Sequence, residues 1–144
     1  MKTDRLILLV EENFDEVFVL ERAFHEAMIV NPVHIARHVE EAICYMEGVG
    51  VYADRERYPL PSLILLSMKA GTRVGFRLLM WIRSNDRFGS LPVVALGSGK
   101  NILEVGEAFR LGANAYFERR TDAADIIRLI QGIEMVEDIW VPTN

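Results

Sequence analysis

A chain of 144 residues has the size of one domain and can bury roughly two-thirds of the surface it exposes when unfolded. Hydrophobic residues at 51% and charged residues at 26% exclude a disordered chain, and a formal net charge of −5 excludes a broad electrostatic footprint on nucleic acid or anionic lipid. One cysteine, Cys44, excludes an internal disulfide and fits a reducing compartment; it is expected as a small buried hydrophobe beside Ile43.

The basic start Met1-Lys2-Thr3-Asp4-Arg5 leads into an apolar run, Leu6–Val10, which is too short for a signal-peptide core and ends in Glu11-Glu12. No stretch approaches the ~20 apolar residues of a membrane helix, so a cytoplasmic protein without membrane contact is expected. Leu6–Val10 reads as a strand. From Asn13 to Met28, Val17, Leu20, Phe24 and Met28 recur at helical spacing. Val33–Ala36 reads as a second strand, followed by a short helix over 40–46 that ends near Gly48. The stretch from Gly48 to Ser62 reads as one surface loop.

Leu63–Leu66 is the third predicted strand, and a helix over 75–83 carries Phe76, Leu79 and Met80 as its stripe. Val93–Leu96 is the fourth strand. A helix over 102–111 stops at Gly112, with Ile102, Val105 and Phe109 inward and Leu103 outward. Ala115–Phe117 is the fifth strand. The last helix, over 122–140, turns Ile126, Leu129, Ile130, Ile133 and Val136 inward and leaves Met135 and Ile139 off the stripe. Most strands are continuously apolar, the mark of parallel strands covered on both faces, and short links between alternating β and α imply right-handed crossovers.

Several segments together resemble the receiver domains of two-component response regulators. Ile7-Leu8-Leu9-Val10-Glu11-Glu12-Asn13 is similar to their first strand with its acidic pair, and Ser62 to Lys69 to the third strand running into the phosphorylation site. Gly75 matches the glycine opening the next helix. Leu91 to Leu96 and Leu111 to Tyr116 are similar to the fourth strand and the approach to the fifth. The loop Tyr52 to Pro61 resembles that of the small stand-alone receivers that partner bacterial phytochromes and other sensor kinases. The resemblance covers nearly the whole chain as a single domain, 1–144. It implies an α/β, flavodoxin-like, doubly wound five-stranded parallel sheet of order 2-1-3-4-5 with helices on both faces.

The resemblance also implies a site. In a receiver, a carboxylate ending the third strand takes up a phosphoryl group, a divalent cation held by the acidic pair neutralises charge, a lysine ends strand five, and a hydroxyl ends strand four. Here Glu11 and Glu12 keep the acidic pair in kind, but the acceptor position is Ser67, the hydroxyl position Gly97 and the lysine position Arg119, followed by Arg120. Tyr116 keeps the aromatic switch position. With no third carboxylate, pairing of Glu11 and Glu12 with Arg119 and Arg120 is expected in preference to a metal, and no cofactor is expected.

The residues taken alone add little chemistry. Ser67 has no flanking glycine for a hydrolase elbow, and His25, His34 and His38 show no metal-ligand spacing. Gly97-Ser98-Gly99-Lys100 before a helix has the form of an anion-binding turn but is not a Walker loop. The expected function is therefore a receiver-like signalling module, not an enzyme, that lacks the phosphoacceptor and acts through protein partners: a sensor kinase or another receiver. Two alternatives stay open, an active phosphoacceptor using another residue and a small-anion or ligand sensor. The resemblance implies pairing through the fourth helix, fifth strand and fifth helix, so a homodimer through Leu103, Tyr116, Met135, Ile139 and Trp140 is expected.

Overall fold

The computed structural model describes residues 5–69, 72–118, 124, 125 and 128. Strand β1 (Leu6–Val10) is followed by helix α1 (Phe14–Glu26), β2 (Val33–Ala36), α2 (Val39–Glu47), β3 (Pro61–Ser67), α3 (Val74–Ser84), β4 (Val93–Gly97), α4 (Ile102–Arg110) and β5 (Ala115–Glu118). The strands form one parallel sheet in the order β2-β1-β3-β4-β5. The predicted last helix and its stripe lie outside the described residues.

Alternation along the buried strands explains the layering. Leu6, Leu8 and Val10 of β1, with Ile64, Leu66, Val93 and Ala95, face one core, which α2, α3 and α4 cover with residues including Tyr45, Met46, Phe76, Leu79, Ile82 and Ala108. Ile7 and Leu9, with Leu63, Leu65, Val94 and Leu96, face the other, which α1 covers with Val17, Leu20, Ala23 and Phe24. Truncating a central residue such as Leu65, 1% exposed, would remove contacts on a fully packed face and cost about 2–5 kcal/mol.

Three helical stripes depart from expectation. Met28 is exposed because α1 ends at Glu26 and Met28 sits at φ 61, outside the helix. Met80 is exposed because Leu78, together with Leu79 and Ile82, takes the buried positions of α3. On α4, Ile102 and Phe109 point outward, 81% and 48% exposed, whereas Ala108 is buried and Leu111 packs beside it. Cys44 is only half-buried; Ala42, Tyr45 and Met46 hold the core face of α2.

The loop after α2 is more ordered than a plain surface loop. Gly50–Tyr52 forms a short 3-10 turn, and β3 already starts at Pro61. Arg55 donates to the carbonyls of Tyr45 (2.8 Å) and Met46 (2.6 Å) in the last turn of α2 and to that of Tyr58 (3.1 Å), tying the loop to the helix end. Gly48, at φ 71, provides the left-handed C-cap over which Arg55 folds. His34 lies against Tyr45, Tyr52 and Tyr58, with ring centroids 4.6 to 6.1 Å apart. Burial lowers the His34 pKa and pushes that of Tyr45 up to about 12.

Gly112, at φ 109, closes α4 as expected: its N–H donates to Phe109 and the Ala113 N–H to Ala108. Arg83 then ties the end of α3 to this turn and to the entry of β4, donating to Gly112, Leu91 and the Asn114 side chain.

Candidate functional site

The carboxyl ends of β1, β2 and β3 converge on a cavity of about 460 Å³, where the 2-1-3 order brings together loops far apart in sequence. Its lining includes Glu11, Glu12 and Asn13 after β1, Arg37 and His38 after β2, and Ser67 and Lys69 at the end of β3. Ser67 is the last residue of β3, in register with Leu96, so its position is fixed by the sheet. Gly75 allows α3 to close over this end: a Cβ there would overlap the Met68 sulfur and come within 3.3 Å of the Ser67 carbonyl.

The two acids live in different surroundings. Glu11 is 5% exposed; one carboxylate oxygen accepts from the Asn13 N–H at 3.0 Å, and the other, Oε1, is buried with no hydrogen-bond partner among the described residues. Asn13 in turn caps α1 by accepting from the N–H groups of Asp15 and Glu16. Glu12 is more open. Its carboxylate accepts from the Lys69 ammonium at 2.6 Å, and this contact holds its pKa below the usual carboxylate value. Arg37 donates to the Glu12 backbone carbonyl while its guanidinium lies over the Phe14 ring, 3.5 Å from the centroid.

Sequence reasoning placed Glu11, Glu12 and Ser67 together, and the structure does so too. It missed Lys69, Arg37 and His38. The order 2-1-3 already implies that residues following β2 face this crevice, so Arg37 and His38 were within reach of the sequence. The expected partners Arg119 and Arg120 lie outside the described residues; among the described residues, Glu12 is engaged by Lys69.

These donors do not fit the divalent cation that the resemblance implies. Among the described residues only two carboxylates line the cavity and no group of three His, Cys, Asp or Glu side chains suited to a metal occurs, and one of the two carboxylates is held by an ammonium. The backbone oxygen of Lys69 is also taken, by the N–H and hydroxyl of Thr72.

At the neighbouring strand end, Gly97 is buried and the Tyr116 ring stands against it. A Cβ at position 97 would overlap the tyrosine hydroxyl and stand 2.8 Å from Cζ, so Tyr116 uses space that any other residue at 97 would occupy. Tyr116 also packs against the core and accepts from the Gly99 N–H at 3.2 Å. In the turn Gly97 to Lys100, the Lys100 N–H is directed to Ser98 Oγ at 3.3 Å, and the Glu118 carboxylate lies against Gly99. Further along, the Leu103 N–H is capped by the Asn101 side chain. Of the expected interface, Leu103 is 80% exposed and Tyr116 half-buried, while Met135, Ile139 and Trp140 lie outside the described residues.

No family model matches the chain. It is 27% identical over 139 residues to the response regulator Rcp1 of Synechocystis sp., covering 96% of this chain and 90% of Rcp1. Among solved structures, the bacteriophytochrome response regulator RtBRR matches with a TM-score of 0.80 at 27% identity, covering 98% of this chain and 82% of that one. The Mn(2+)-bound form of Rcp1 matches with a TM-score of 0.72 at 27% identity, covering 96% and 99%. The sheet order, the acidic pair after β1 and these relationships along nearly the whole length agree. In fold and along nearly its whole length the chain resembles the stand-alone response-regulator receiver domains associated with phytochromes.

Proposed function

We propose that this receiver signals by presenting its surface to protein partners, independently of aspartyl phosphorylation. The observation that carries this reading is Ser67: the side chain ending β3 in the crevice is a hydroxyl, and among the described residues no aspartate lines the cavity. A serine cannot form the acyl phosphate that receivers use, and the paired Glu12 is held by Lys69. The Tyr116 ring, seated in the space left by Gly97, supports the same reading, because no hydroxyl at position 97 is available to report a phosphoryl group. The chain then acts as a non-enzymatic adaptor toward a sensor kinase or another receiver.

The partner surface favoured by the exposure pattern is the outer face of α4. Ile102, Leu103, Gly106 and Phe109 fall within about 120° of one another on a helical projection, and the three side chains are exposed. We propose a second copy of this chain as the occupant.

The test is incubation with acetyl phosphate and magnesium, followed by intact mass measurement. No gain is expected; a hydroxylamine-labile gain of one phosphoryl group overturns the reading. Sedimentation of Ile102→Glu, Leu103→Glu beside wild type tests the surface, with a dimer expected only for wild type.

A further inference from the structure

We infer that the Lys69 ammonium serves as the crevice's own cation, tethering the β3–α3 loop to the β1–α1 loop where a receiver would take a divalent ion. Three observations converge. The ammonium lies 2.6 Å from Glu12 Oε1, joining residues 57 apart in sequence across the mouth of the cavity. Among the described residues the formal charges lining the cavity cancel, with Glu11 and Glu12 against Arg37 and Lys69 and with His38 beside them, so these residues present no net negative field to draw in a doubly charged ion. The loop is also braced to hold the lysine there, because the Lys69 carbonyl accepts from both the N–H (3.2 Å) and the hydroxyl (3.0 Å) of Thr72.

A lysine in this role differs physically from a bound ion. It is covalently part of the chain, so the charge it brings to the crevice does not depend on the magnesium concentration, although the exposed pair itself can open and close. It also carries one charge instead of two, so it balances Glu12 and leaves Glu11 to its own hydrogen bond from Asn13. Removing Lys69 would release the Glu12 carboxylate beside the buried Glu11 Oε1, which has no hydrogen-bond partner among the described residues. The inference deepens the reading of the crevice as one that does not transfer phosphoryl groups. It concerns cation affinity alone, so its failure would leave the phosphodonor result standing.

The experiment is titration of the full chain with Mn²⁺, following free Mn²⁺ by electron paramagnetic resonance. Wild type is expected to bind at least tenfold more weakly than Lys69→Met, which keeps the length of the side chain and removes its charge. Adding Glu12→Gln to Lys69→Met should reverse the gain, and Lys69→Arg should stay as weak as wild type. Circular dichroism checks folding, and Lys69→Gln replaces the methionine variant if that one is not folded. Equal Mn²⁺ affinity in wild type and the charge-removed variant, at any strength, overturns the inference; so does a gain that survives Glu12→Gln.

Discussion

Gly97→Ala is the substitution that interrogates the crevice most directly, because two opposing effects can be separated. Gly97 ends β4, at a backbone conformation that ordinary residues adopt, so exchanging glycine for alanine should by itself stabilise by about 0.5–1 kcal/mol. The new methyl, however, would overlap the Tyr116 hydroxyl and press on Cζ at 2.8 Å, so the ring must swing out. Losing the hydrogen bond from Gly99 costs about 1 kcal/mol, and re-exposing part of a half-buried ring costs ~1–2 kcal/mol more. The net expectation is destabilisation by about 1–2 kcal/mol. In a Tyr116→Ala background nothing stands in the way, and the same substitution should stabilise. The assay is urea unfolding of the four proteins of the cycle, with a coupling of ~2–3 kcal/mol and a change of sign between backgrounds. If Gly97→Ala has the same effect in both backgrounds, Tyr116 does not depend on the glycine and its seat in the crevice is incidental.

Two further outcomes are expected. Ser67→Asp alone should remain without fast, magnesium-dependent phosphorylation by acetyl phosphate, because Lys69 still holds Glu12 and Gly97 still lacks a hydroxyl; rapid labelling of this single variant would show that the acceptor was the one missing part. His34, packed among Tyr45, Tyr52 and Tyr58 with Glu41 3.8 Å away, has its pKa lowered by burial, so the unfolded chain takes up its proton first. Stability should therefore hold above pH ~6.5 and decline as pH falls from there toward the lower folded value, with a shallower decline in His34→Gln; parallel urea curves for both proteins between pH 8 and 5.5 would refute it.

The central strands were legible because a parallel strand covered on both faces must be apolar at every position, and β1 and β4 start where the apolar runs start. Gly48 and Gly112 announced the ends of α2 and α4 because both sit at positive φ, where glycine alone is unstrained. The acidic pair and Ser67 were placed in one crevice for a similar reason: in this topology the strand ends fix where those residues must be. What remained hidden was every choice among faces and partners that sequence spacing leaves degenerate. α4 carries apolar side chains on both sides, and the fold buried the small Ala108 against the sheet and turned Ile102 and Phe109 to solvent. Lys69 reaching Glu12 depends on two loops brought together across 57 residues, and Tyr116 filling the space beside Gly97 on the pairing of β4 with β5 across 19. Local sequence sets which residues can pack or pair, but which of them meet is decided by the packing of the sheet, since a charge or a ring is satisfied only by whatever the tertiary structure sets within a few ångströms of it.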